Sequence, residues 1–138
     1  MILVDSNVIL DVVQRREPHF GASAAVLDDV VSGRVEGSLP AHVLTTLHFI
    51  VGRYCGEREA HSVVDWLLAH FDVVAVGRAE LVRARGLGWS DFEDGVVAAA
   101  AESSGCQQIV TRNVGDFEGS PVPAVTPEEY LIAFGARE

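Results

Sequence analysis

Short β-rich runs alternate with longer stretches of helical spacing along this chain, and no other feature restricts its fold as strongly. Such alternation leads to an α/β architecture: a mostly parallel sheet whose strands are joined by helices packed on its faces. Ile2 to Asp5 reads as a buried strand that ends in a carboxylate. Behind it Val8, Ile9, Val12 and Val13 recur at helical spacing, with Ser6 or Asp5 as the cap. A second helix runs from about Gly21 to Ser32, Val35 to Leu39 forms a second strand, and apolar residues from Val43 to Val51 form a third helix closed by Gly56. Ala60, Val63, Val64, Leu67 and Leu68 mark the next helix, followed by a strand at Asp72–Val76 and a short helix at Ala79–Arg85. Ser90-Asp91-Phe92-Glu93 has the form of a capping box, so a helix is expected to start at Asp91 and stop at Gly105. Gln108–Thr111 and Val122–Val125 complete the strands, and Thr126-Pro127-Glu128-Glu129 caps a last helix. The expected product is a three-layer α/β/α sandwich, one domain over residues 1–138, with its chemistry at the carboxyl ends of the strands.

Charge narrows the function. The chain carries 20 acidic and 10 basic residues, a formal charge of −10, which opposes nonspecific adhesion to nucleic acid or an anionic membrane. All the bases are arginines, and the absence of lysine excludes a phosphate loop of the GxxxxGK[ST] type, Schiff-base chemistry and a lysine general base. The longest uncharged stretch, Gly37 to Gly52, contains Pro40, His42 and His48 and is too short and polar to span a bilayer. With no basic leader before Asp5, a cytoplasmic location is the expectation. Cys55 and Cys106 lack any ligand pattern and are read as buried free thiols.

Three features at the expected sheet edge carry chemistry. Asp5 ends an apolar strand, in the crevice where parallel sheets bind ligands, with Asn7 just beyond; Asp11, six residues on, reads as a solvated or cap-supporting residue. Asp91 and Asp94 are neighbours on one helix face, and Asp94 stands at the mouth of the apolar run Gly95–Ala101. The strand Ile109–Thr111 runs out into Arg112-Asn113-Val114-Gly115-Asp116-Phe117, a turn rich in oxygen ligands that adds a third acid. Several carboxylates sharing one small site cannot all ionise without a cation, and oxygen donors without soft ligands point to Mg²⁺ or Mn²⁺.

Val4-Asp5-Ser6-Asn7-Val8-Ile9-Leu10-Asp11, then Asp94 with its alanine-rich helix, then Val110-Thr111-Arg112-Asn113 leading to Asp116-Phe117, in this order and spacing, resemble the PIN-domain ribonucleases, particularly the VapC-type toxins of toxin–antitoxin pairs. The resemblance covers nearly the whole chain. It implies a metal-dependent ribonuclease in which Asp5, Asp94 and Asp116 match three family acids, while Asn7, Thr111 and Asn113 support them. It also implies an antitoxin as partner and RNA as substrate, with Arg112 as a contact to the RNA backbone. The family's second acid sits early in the helix after the second strand, where this chain has Ala41 to Leu47 and neither Asp nor Glu. Thr46 is expected at that position, with Asp91 as the compensating carboxylate and metal ligand.

His42 and His48, six apart, do not make the i, i+4 pair of a helical zinc site and are read as packing or surface residues. The apolar surface of the helices from Val43 to Phe71 exceeds what one sheet face needs, so a homodimer is expected, as the resemblance also implies. Two other readings compete with the nuclease. One is a degenerate PIN fold that only binds a partner; the other is a haloacid-dehalogenase-like phosphatase, which would want an Asp where Asn7 stands and usually a lysine.

Overall fold

The computed structural model describes residues 1–134; the expected domain over 1–138 extends four residues beyond them. Five parallel strands form the sheet, β1 (Ile2–Val4), β2 (Gly37–Pro40), β3 (Asp72–Val74), β4 (Gln108–Val110) and β5 (Ala124–Val125), in the order β3-β2-β1-β4-β5. All strand pairings are parallel, so the mostly parallel sheet of the sequence reading is wholly so. The chain builds β2 and β3 to one side of β1 and then crosses to place β4 and β5 on the other. That reversal opens a crevice past the carboxyl ends of β1 and β4, which pair with Leu3 opposite Ile109 and Val4 opposite Val110.

Seven helices flank the sheet: α1 (Ser6–Val13), α2 (Phe20–Val31), α3 (Ala41–Cys55), α4 (Glu57–His70), α5 (Arg78–Leu87), α6 (Phe92–Ser103) and α7 (Pro127–Phe134). The period of two along β1 sorts them. Ile2 and Val4 join a core with Val8, Val26, Leu47, Val63 and Tyr130, from α1, α2, α3, α4 and α7. Leu3 faces the other way, onto Val97, Ala98 and Ala101 of α6 and onto Phe117 and Val122. Small side chains let these layers close. A Cβ on Gly37 would come within 2.8 Å of Val30, so α2 settles on β2 only because that position is glycine, and one on Gly95 would come within 3.3 Å of the Ala84 carbonyl, so glycine there eases the close packing of α5 on α6.

Three expectations about local structure need correction. Cys106 is buried as expected, but Cys55, at the end of α3, is exposed. The cap of α6 is Asp91 and not Ser90: Asp91 is extended, and its Oδ1 accepts the Asp94 amide at 3.1 Å, so the helix begins one residue later, at Phe92. Asp11 is neither solvated nor a cap. It is fully buried, accepts the Ser23 hydroxyl of α2 at 3.1 Å, and takes the Arg112 Nε at 2.7 Å. The ion pair, made through the Nε of Arg112, ties α1 to the segment just after β4. Elsewhere the caps agree with the sequence reading, as at α7, where Thr126 and Glu129 exchange reciprocal bonds of 2.9 and 3.0 Å.

Arg112→Ala would leave Asp11 buried without its counter-charge and should cost about 3 kcal/mol of stability in denaturant unfolding. Arg58→Ala, on exposed α4, should cost no more than about 0.5 kcal/mol.

Candidate active site

Asp5 stands where β1 ends, and three bonds hold its carboxylate. Ser6 N–H donates to Oδ1 at 2.8 Å, capping α1; the Thr111 hydroxyl donates to Oδ2 at 2.8 Å; and the Asn7 amide reaches Oδ2 at 3.3 Å. Asn7 also donates to Thr111 Oγ1 at 3.2 Å and accepts the Arg112 backbone N–H at 3.2 Å, while Asn113 N–H donates to Thr111 Oγ1 at 3.1 Å. The ends of β1 and β4 are thereby locked together through side chains. The expected supporting residues Asn7, Thr111 and Asn113 all belong to this network.

Asp94 lies in the first turn of α6 and Asp116 in the short 3₁₀ turn Val114–Phe117 that follows β4. Phe117 is buried and meets Trp89 edge-on, with ring centroids 5.8 Å apart, which anchors the turn against the approach to α6. Between these walls a cleft of about 460 Å³ is lined by Trp89, Ser90, Asp91, Asp94, Gly115, Asp116 and Glu118, with no basic side chain among them. Its charge is therefore uncompensated. Burial, followed by repulsion from Asp91, Asp5 and Asp116, raises the Asp94 carboxyl to about 7. Burial also pushes Asp5 above the usual carboxylate range, against the lowering effect of its bonds from Thr111 and Ser6, and the charges of Glu93 and Asp116 add to the rise. Asp5, Asp94, Asp91 and Asp116 thus act on one another as a single electrostatic group.

The α3 wall differs from the expectation. Thr46 turns its hydroxyl back to the His42 carbonyl at 3.2 Å. His42, one turn earlier on the same helix face, lies within the field of the acids: burial lowers its pKa, while Glu93 and Asp5 pull it upward. Both His42 ring nitrogens are buried without a hydrogen-bond partner. His42 and Glu93 are the two site residues missed in the sequence. His42 was read as packing or surface because its residue type at that spacing suggested no zinc site, and Glu93 as the return arm of a capping box that forms elsewhere.

The donor set suits a hard divalent cation: carboxylates held at raised pKa, no lysine in the chain, and no arginine lining the cleft. Among the described residues no three His, Cys, Asp or Glu side chains are drawn together tightly enough to enclose an ion.

Comparison with known proteins agrees with this architecture. No curated protein sequence matches the chain. Among solved structures it is similar to a toxin–antitoxin complex from Klebsiella pneumoniae, at 18% identity and a TM-score of 0.70 over 92% of this chain and 98% of that one. FitAcB from Neisseria gonorrhoeae matches at 22% identity and a TM-score of 0.70, over 93% of this chain and 99% of that one. The Mycobacterium tuberculosis toxin VapC20, which cleaves the sarcin–ricin loop, matches at 21% identity and a TM-score of 0.65, over 79% and 87%. A family model described as PIN domain matches residues 1–115. With the match spanning most of the chain, from β1 and its Asp5 past β4 to Gly115, this protein belongs to the PIN domain family.

Proposed function

We propose that this protein is a divalent-metal-dependent ribonuclease acting as the cytoplasmic toxin of a toxin–antitoxin pair, and that the whole chain works as one domain. The observation that carries the reading is the mutual repulsion of Asp5, Asp94 and Asp116 at the crevice between β1 and β4, uncompensated by any basic side chain lining the cleft. The similarity to toxins that are solved with antitoxins supports the partner, and the sarcin–ricin-loop-cleaving relative supports RNA as substrate.

Asp5, Asp94 and Asp116 would hold Mg²⁺ or Mn²⁺, with Asp91 and Glu93 adding negative charge from the same end of α6. Bound there, the ion supplies a water of lowered pKa and neutralises charge on the phosphate. The residues of the chain do the positioning. Thr111 and Asn7 fix the Asp5 carboxylate by hydrogen bonds, so that a ligand oxygen is held before metal or substrate arrives. The Trp89–Phe117 contact holds the two walls apart at a set width. A second reading, a PIN fold that only binds a partner, draws support from α3, which presents His42 and Thr46 and no acid.

Cleavage of a mixed RNA pool with added Mn²⁺ separates the two readings, since the partner-binding reading expects none. Asp5→Asn and Asp94→Asn should each lower cleavage by about a hundredfold or more. Asp5→Ala is the poorer probe, because it also removes the α1 cap and strands the Thr111 hydroxyl, at about 1–2 kcal/mol of stability. In metal titrations Thr46→Glu should lower the Mg²⁺ needed for half-maximal cleavage, and Glu93→Gln and Asp91→Asn should raise it, each by about tenfold.

Stability carries the same signature. With its folded pKa raised from 3.8 to about 7, Asp94 binds a proton more tightly in the native state, so stability falls as pH rises across that window. In EDTA, Asp94→Asn should therefore raise the thermal midpoint by a few degrees at pH 8 and leave it unchanged near pH 4. Mg²⁺ should stabilise the wild type more at pH 8 than at pH 5.

Exposed Phe49, Tyr54 and Leu68 on α3 and α4 support a homodimer through these helices. Light scattering at tens of micromolar, roughly the range for a specific dimer, should give twice the mass of the chain, and Phe49→Glu should return it to monomer.

A further inference from the structure

Outside the acidic cleft, α5 carries a surface of opposite character. Its arginines are Arg78, Arg83 and Arg85. Arg83 is committed to Glu102 of α6, with bonds of 2.9 and 3.3 Å. Arg78 and Arg85 make no ion pair among the described residues, and they line an open groove of about 540 Å³ together with Leu81, Val82 and Phe92. Residues 78, 81, 82 and 85 follow the i, i+3, i+4, i+7 spacing of one helix stripe, which sets the two guanidinium-bearing residues about 10 Å apart along the axis. Leu81, Val82 and Phe92 are 41%, 58% and 44% exposed, an apolar floor between two cations in a chain of net charge −10.

Position gives the groove its meaning. Phe92 opens α6, next in sequence to the cap Asp91 and two residues before Asp94, both of which line the acidic cleft. A strand of nucleic acid with one phosphate at the acids would meet further cationic side chains in this groove.

We propose that the α5 groove is the docking surface for single-stranded RNA flanking the cleavage site, with Arg78 and Arg85 on successive backbone phosphates and the Phe92 ring beneath a base. The proposal rests on the ribonuclease reading and deepens it. Charge complementarity selects the occupant: a polyanion pairs with both arginines, while an aromatic and two aliphatic side chains accept the π-face of a base without regard to sequence. A second copy fits less well. A two-fold contact on this face would set the arginine-bearing stripe against its own symmetry mate.

The test uses the full-length protein and a fluorescein-labelled 12-nucleotide single-stranded RNA, followed by anisotropy in EDTA so that the probe stays intact, with KM and kcat measured separately in Mn²⁺. Arg78→Gln/Arg85→Gln should weaken binding about tenfold or more and flatten the slope of log affinity against log salt by about 1.4, two contacts at the single-strand increment. Phe92→Ala should weaken it about fivefold or more through lost stacking. Cleavage should show raised KM with kcat nearly unchanged. Arg85→Glu should be far more damaging than Arg58→Glu, which makes the same change in net charge on α4; equal effects would overturn the proposal. So would wild-type affinity in the glutamine variant, or a change of oligomeric state in that variant with RNA binding intact, which would make the groove a contact between copies. If the wild type cleaves RNA while the groove variants keep its KM, the groove assignment fails and the nuclease reading stands. If the wild type neither binds nor cuts RNA, both fall.

Discussion

The carboxylate of Asp5 is where the strands, the first helix and the acidic cleft meet. One oxygen caps α1, the other receives the Thr111 hydroxyl from the far side of a strand pair, and Asn7 closes the network onto the Arg112 backbone. A buried carboxylate costs free energy unless its lone pairs are filled. Here the filling groups come from positions more than a hundred residues apart in sequence, so satisfying Asp5 also sets the relation of β1 to β4. The crevice between those two strands inherits its geometry from that requirement, and the other acids are arranged around a group that cannot move.

Charge is divided by depth. Asp11, fully buried, is matched by Arg112 and Ser23 and serves as structure. Asp94 and Asp116, nearer the solvent, have no cation beside them, and Asp94 retains its proton well above the usual range. Removing the partner of the first kind exposes a buried charge, whereas removing a member of the second relieves repulsion. Like charges thus press on one another at the acidic cleft, and Phe92 of the arginine-lined α5 groove is next in sequence to Asp91 of that cleft.

The fold's economy in side-chain size serves the same end. Gly37 allows helix to meet strand at a distance no Cβ would permit, Gly95 eases the approach of α5 to α6, and the alanines of α6 bring its first turn, with Asp94, close to the strand ends. Anchoring by Phe117 and Trp89 then keeps the turn bearing Asp116 opposite.

Much of this was legible in the residues themselves. The alternation of periods announces the parallel α/β sheet, and an acid at the end of an apolar strand announces a carboxylate at its carboxyl edge, because period and polarity are local properties. Asp5 follows from that; Asp94 stands out at the mouth of an apolar run and Asp116 in the polar turn after a strand, while the supporting parts of Asn7 and Thr111 come from the resemblance to PIN-domain ribonucleases. The place of Asp11 does not follow: a helix has several faces, and only packing against α2 and the segment after β4 determined that this one is buried and paired with Arg112. The same holds for His42 and Glu93, whose parts in the site depend on how α3 and α6 face each other across the strand ends, and for the choice of Asp91 over Ser90 as cap. Sequence by itself determined the elements and the chemical groups they carry; tertiary structure decided which groups are buried, paired or left to repel, because burial and pairing are made by residues far apart along the chain.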